Sequence, residues 1–550
     1  MKNIFSIRGL LTLLGLFIVA EASLHAQTSS NLKSIQPVVL TGAQFPEFAG
    51  VPVGEISLWA FDASTGSWKA LPFQIDKRGR SGSYFSADGS VLDANDELVF
   101  MTEDFGEAAS DTNWISDAAS QNYPRYEIVA TDPTDPDAKM YAYLYHTAPP
   151  TFQPLVSIDP HTQDIFSDQY RIGFGQNGLP NKIVVPASAG GSDRDFLDRL
   201  KIHIIAQVPG FSGPTQIQIS ENGIQKQGVK FKVGPVRIIR SIIFKIVVNA
   251  GGLGQISLPD TFYFPIYFYP YSMAVQADSI DLSVTNQFKI KILSARYSLD
   301  LNPNASGMKF YSPNNSGILI DGQPDQINNE IQPGLNYQMV TGNPGTLVSL
   351  LEVPAIGSQQ QLYYCESTTG STCDGTFDTG DSLSYGDAGF RVAGSDIQGV
   401  LRFWSTVYML PGNQPPDTGA KLLADIQNPL AFSLSLQNSR VSVSESGHQT
   451  QGPASFRVNA AYPNPFRADV PGNQTYFSYV LPQPLPVLIT VFDITGRMVR
   501  QMSIPLQSAG THAISWNGVD GSGALLPSGI YFYRVQAGRF HAIRKLLLVR

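Results

Sequence analysis

The chain has 550 residues, 43% hydrophobic and only 15% charged, with 49 glycines and 38 prolines. That much hydrophobic content excludes a disordered protein, and the low charge with abundant turn formers excludes a coiled coil or helical bundle. The formal net charge of −8 implies no broad basic surface, so nucleic acid is not an expected partner.

The first segment reads as an export signal. Lys2 and Arg8 are basic, 10–20 is an apolar run, and small residues follow at Ala20, Ala22 and Ala26. Residues 1–26 therefore have the form of a secretory signal peptide, cleaved after Ala22 or Ala26 and too short to span a membrane. No later run has the length and apolarity of a membrane-spanning helix; 262–271 is the greasiest stretch and contains two prolines.

Residues 27–150 are expected to form an N-terminal β domain. Strands are predicted at 37–40 and 55–61, the second with Ile56, Leu58 and Ala60 on one face. The turn at 62–67 brings 68–76 back as a hairpin partner. A strand at 98–101 and a hairpin from 126–130 and 140–145 follow. Just before the 98–101 strand, 88–97 gathers oxygen ligands beside Gly89. Calcium is the cofactor such a loop could hold, through Asp88, Asp93, Asn95 and Glu97. The loop lacks the EF-hand spacing, with neither Gly at the sixth position nor Glu at the twelfth. A solvated acidic turn is the alternative.

Residues 151–437 carry the longest strands, at 200–208, 228–248 with a break at Gly234-Pro235, 262–277, 279–298, 317–321 and 400–410. They predict a large β-sandwich. Helical periodicity is sustained nowhere, and 193–201 is the one candidate for a short helix. The turn at 233–237 faintly resembles one in mutarotase-like carbohydrate-processing sandwiches. In 262–271, Phe262, Phe264, Ile266 and Phe268 share one strand face and Tyr263, Tyr267, Tyr269 and Tyr271 the other. The phenylalanine face belongs in a core. The tyrosine face could stack on sugar rings, making carbohydrate a candidate ligand, or could pack against a second sheet.

Cys365 and Cys373 are the only two cysteines. They flank a turn-rich segment and would clip it as a disulfide in an oxidising compartment. Just beyond lie Asp374, Asp378, Asp381 and Asp387, which could bind calcium, act as an acid/base pair, or simply build turns. His203 reads as a core histidine. The chain has no Gly-x-Ser-x-Gly elbow, no His-Glu-x-x-His, no Walker loop and no dinucleotide fingerprint, so no catalytic residue is nominated.

Residues 438–455, rich in Ser, Gln and Gly, read as a linker. Residues 456–550 then show about seven short strands at sandwich spacing, separated by turns at 493–496, 520–523 and 537–538. This region carries a set of motifs: Tyr462-Pro463-Asn464-Pro465-Phe466, Val491-Phe492-Asp493 with Gly496-Arg497, Trp516-Asn517-Gly518-Val519-Asp520, Ser528-Gly529-Ile530-Tyr531-Phe532-Tyr533, and the terminal Lys545 to Arg550. In this order they resemble the type A C-terminal sorting domain of the type IX secretion system. The same elements are similar to the Ig-like domain of flagellar hook-capping proteins. The resemblance covers 456–550 only. It implies an Ig-like sandwich with Tyr462, Pro463, Asn464, Pro465, Phe466, Gly496, Trp516, Gly529, Tyr531 and Lys545 as its sorting motif. It also implies an outer-membrane secretion machinery as partner, and a secreted or cell-surface location after trimming.

The fold expectation is thus all-β: multidomain β-sandwiches ending in an Ig-like sandwich. The passenger is expected to be a binding or structural protein. A glycan-active enzyme (lyase, hydrolase or mutarotase-like) on the large sandwich is the alternative.

Overall fold

The computed structural model describes residues 32–439 and 456–549, apart from short stretches at 80–82, 86–88, 209–214, 250–254, 258–261, 282–290, 354–356, 358, 370–372, 374–378, 396, 398–399, 460, 469–472, 482–484, 495–496, 508–509, 522–523 and 539. The expected signal peptide, Asp88, Asp374, Asp378, Gly496 and nearly all of the expected linker lie outside the described residues. The chain is all-β and forms two compact units. One is built mainly from Phe152–Asn428; the other joins Val39–Leu98, Asp104–Thr151 and Pro429–Arg550.

The first unit is a two-sheet sandwich. A five-stranded antiparallel sheet runs in the order Thr215–Ser220, Leu197–Val208, Lys291–Leu301, Ser384–Ala393, Gln359–Ser367. It packs on a ten-stranded sheet whose central strands are Ser272–Asp281, Val400–Leu410, Gly345–Val353 and Gly334–Gly342. Leu200, Leu299 and Phe390 from the first sheet meet Ile266, Met273, Leu347 and Val407 from the second. The strand Gly345–Val353 is buried on both faces because its other side is covered too. There Val348 and Leu350 pack with Leu422 of the helix Thr418–Gln427. That helix was not predicted: it shows only Leu422, Leu423 and Ile426 as an apolar side. The short helix expected at 193–201 is instead the start of the strand Leu197–Val208, held by ladder pairing to Lys291–Leu301. Pairing with strands on both sides outweighs a weak local helical preference.

In the second unit, Ile56–Asp62 and Ser67–Ala70 form a hairpin, with Asp62 opposite Ser67; the rest of the expected 68–76 return strand does not join it, because Gln74–Asp76 belongs to a separate three-stranded sheet. Arg125–Asp132 and Asp135–His146 form another. Both belong to one five-stranded sheet whose outer strand is Ala431–Gln437. The chain therefore leaves the large sandwich at Asn428, not at 437. The seven residues beyond Leu430 return as an edge strand along Arg125–Asp132. Fully buried Arg125 anchors this return: its Nε donates to Gln437 Oε1 at 2.8 Å and its guanidinium faces Trp114 and Tyr143. Arg125 also donates to the Tyr145 hydroxyl at 2.6 Å, which burial pushes up to about 12.

The C-terminal region closes as an Ig-like sandwich. A three-stranded sheet (Arg457–Val458, Thr475–Leu481, Gly510–Trp516) faces a five-stranded one in the order Phe466–Arg467, Phe540–Val549, Gly529–Ala537, Leu485–Asp493, Met498–Gln507. Alternation puts Phe477, Tyr479, Ile489, Val491, Tyr533, Val535, Leu546 and Leu548 into its core.

Candidate functional site

The Tyr462–Phe466 segment closes the terminal strand of the Ig-like sandwich. Phe466 and Arg467 pair in parallel with Leu548 and Val549. Ahead of them, the Asn464 side chain acts as a substitute strand: its Nδ2 donates to Lys545 O at 3.1 Å and its Oδ1 accepts from Leu547 N at 2.8 Å. Two prolines flank Asn464 and have no N–H of their own to offer, so the amide side chain supplies the edge pairing. The two X–Pro bonds here, Tyr462–Pro463 and Asn464–Pro465, are cis. Thr475 Oγ1 donates to Pro463 O at 2.8 Å, and Tyr462 bridges Tyr476 through paired backbone bonds. Phe466 is fully buried between Trp516 and Leu548.

The other motif residues are spent on turns and corners. Trp516 is buried and its Nε1 donates to Val519 O at 2.9 Å, closing the turn around Gly518. Gly518 has φ 80°, and a Cβ there would lie 2.3 Å from Ala468 Cβ, so the position requires glycine. Tyr531 donates to Pro527 O at 2.8 Å and Tyr533 to Asn459 O at 2.7 Å. Gly529 opens the strand and pairs with Leu548. Arg497 closes the turn before it by donating to both oxygens of Asp493. Lys545 is exposed on the last strand. The motif is thus a set of fasteners around the final strand, most of them internal, with Lys545 left facing outward.

The acidic turn of the N-terminal region is organised by a lysine. Lys77 Nζ lies 3.0 Å from Asp93 Oδ2 and 2.7 Å from Val91 O, and it also donates to Asp96, whose carboxylate is fully buried. Asp96 in turn accepts from the backbone N–H of Asp93 and Arg78. Glu97 is held by Arg78 at 2.6 Å and by the Tyr84 hydroxyl at 2.9 Å. Burial opposes charge on Lys77, but the two aspartates hold its ammonium above the ordinary lysine value. Burial likewise works against Asp93, yet the Asn95 N–H and Lys77 keep its carboxyl below the usual range. An ammonium thus sits between Asp93 and Asp96 in the turn that the sequence offered either as a calcium loop or as a solvated acidic turn. No metal-binding group of three or more carboxylate, histidine or cysteine side chains occurs among the described residues. Sequence reasoning counted the acids and passed over Lys77-Arg78, which precede the turn and neutralise it. Asn95 faces outward from the turn, and its Oδ1 accepts from the Tyr462 hydroxyl.

The four tyrosines do not form one open platform. Tyr263 is 62% exposed, whereas Tyr269 is buried. Arg237 donates to the Tyr269 hydroxyl at 3.1 Å and faces the Tyr267 ring, and Tyr271 donates to Glu103 at 2.8 Å. Three of the four are therefore engaged within the protein.

Cys365 and Cys373 form the expected disulfide. Cys365 stands opposite Asp387 in the ladder, at the margin of a buried polar face of the five-stranded sheet. There Lys201 Nζ lies 2.7 Å from Asp300 Oδ2, and Arg296 and Lys201 flank Asp387 at 3.8 and 4.0 Å. Burial and the neighbouring Asp387 push the Asp300 carboxyl up, opposed by Lys201. Lys201, Asp300 and Asp387 are at most 1% exposed. Of the second acidic loop, Asp387 turns inward and Asp381 is exposed. His203 is half-buried and hydrogen-bonded to Gln218.

The terminal region is similar to a known family. Residues 469–539 match the family model of the FlgD Ig-like domain. No curated protein matches the chain. Among solved structures, an alpha-mannosidase from Enterococcus faecalis V583 is similar at 10% identity and TM-score 0.37, covering 93% of this chain. The present chain spans 60% of that protein's length. PorZ, a surface component of the type-IX secretion system of Porphyromonas gingivalis, is similar at 12% identity and TM-score 0.13, with 72% of this chain and 41% of that one covered. Latent PorU from the same organism is similar at 11% identity and TM-score 0.15, with 77% and 34% covered.

Proposed function

We propose that this is a secreted or cell-surface β-sandwich protein, delivered to an outer-membrane export machinery of the type IX kind by residues 456–550. The observation that supports this most is the terminal sandwich itself. It is Ig-like, and the Tyr462–Phe466 segment is fastened directly onto the last strand of the chain. These fasteners hold the Phe540–Val549 strand in one fixed form. Among the described residues no helix is long and apolar enough to cross a membrane. In this reading the two preceding β regions are the passenger, a binding or structural protein. Its buried ionic cluster and engaged tyrosines perform structural work. Deleting 456–550 tests the proposal in a host that carries the translocon. The truncated protein is expected to fold and remain periplasmic. Unchanged levels at the surface or in the medium would refute it.

A further inference from the structure

The Tyr462–Phe466 segment has one side chain that its own domain does not use for closure. Asn464 pairs with the last strand, Phe466 fills the core, and Pro463 O accepts from Thr475. The Tyr462 hydroxyl instead reaches Asn95 of the acidic turn. That turn is rigid for reasons independent of the contact. Lys77 joins Asp93 to buried Asp96, Arg78 and Tyr84 hold Glu97, and Asp93 Oδ1 accepts from Asn95 N at 2.9 Å. Asn95 is thus held in place through its backbone, and its side-chain oxygen accepts from Tyr462. A second approach lies nearby. The edge strand Ala431–Gln437 of the N-terminal sheet runs beside Gly510–Trp516, the edge strand of the three-stranded C-terminal sheet. Two sheet edges are thereby covered at once, which is how folded proteins keep unpaired strand edges from other chains.

We infer that the acidic turn and the 431–437 edge strand together form a docking site for the C-terminal domain, with Tyr462 as its latch. The chain between 439 and 456 is then not what joins the two. A cut there leaves residues 456–550 bound to the body of the protein. The export reading above gives this contact its meaning, since a trimmed protein would keep its terminal domain without a covalent link. The contact itself is testable without any secretion assay, so either idea can fail while the other stands.

The test uses the purified full-length chain with a specific protease site placed within 440–455. After complete cleavage, residues 456–550 should co-elute with the remainder in size-exclusion chromatography at micromolar concentration. Tyr462→Phe removes only the hydroxyl. The loss of one hydrogen bond should raise the dissociation constant of the cut fragments about two- to tenfold. Asn95→Ala should weaken them similarly, and the double variant should be no weaker than either single one, because both remove the same bond. Circular dichroism of each intact variant guards against misfolding. Separation of the wild-type fragments on cleavage would overturn the inference. So would unchanged dissociation of both single variants, or additive effects in the double variant.

Discussion

Replacing Asn464 by alanine isolates the fastening of the last strand from the packing beneath it. The side chain makes two hydrogen bonds to that strand, 3.1 Å to Lys545 O and 2.8 Å from Leu547 N. Each contributes about 0.5–1.5 kcal/mol. Asn464 and Lys545 are exposed, so water replaces the lost partners and the low end applies. The total is about 1 kcal/mol, or roughly a fivefold rise in local opening. Hydrogen exchange on the intact protein reads this directly at the Leu547 amide, whose protection should fall at least that far while Val535 and Ile489 in the core keep theirs. Asn464→Asp keeps an acceptor for Leu547 N but offers no donor to Lys545 O, so it should lose about half as much. Unchanged Leu547 protection in Asn464→Ala would refute the claim that this side chain serves as an edge strand.

Three further predictions concern the supports around these sites. Phe466→Ala removes a fully buried ring packed on Trp516 and should destabilise the terminal sandwich by about 3–5 kcal/mol in urea unfolding. In the acidic turn, the lowered Asp93 carboxyl contributes stability that is complete above about pH 4 and lost as pH falls through its folded value; the raised Lys77 contributes stability complete below about pH 10 and lost as pH rises through its own. Thermal unfolding should thus show a flat optimum between those limits that ignores calcium and chelator, whereas Lys77→Met, by stranding buried Asp96, should cost about 3–5 kcal/mol. Changing both Cys365 and Cys373 to serine opens a loop of sequence separation 8 and should cost about 2.5 kcal/mol in the chain-entropy model, read from denaturant midpoints.

Strand positions were legible in Ile56–Asp62 and in every long strand of the terminal sandwich, whereas 262–277 read as one stretch and is a hairpin of Phe262–Tyr269 and Ser272–Asp281. The helix Thr418–Gln427 was not, because its apolar side is short and its burial comes from Met339, Val348 and Leu350, which are distant in sequence. The return of 431–437 to the N-terminal sheet was equally hidden: an alternating strand says which face is buried but not which sheet it joins. At the sites, the order of motifs in 456–550 pointed to an Ig-like sandwich, yet composition could not show that Asn464 pairs with the final strand. The acidic turn shows the converse. Its carboxylates were visible, and the lysine that neutralises them was visible too, but only the fold brings Lys77 across to Asp93 and Asp96.

The central claim is that residues 456–550 carry the export address. The direct measurement is transfer: residues 438–550 fused behind a signal peptide and a stably folded periplasmic reporter, expressed in paired hosts with and without a type IX translocon, with reporter quantified in periplasm, on the surface and in the medium. The reporter is expected to leave the periplasm only in the host that has the translocon. Reporter retained in the periplasm of both hosts, or released equally by both, would contradict it.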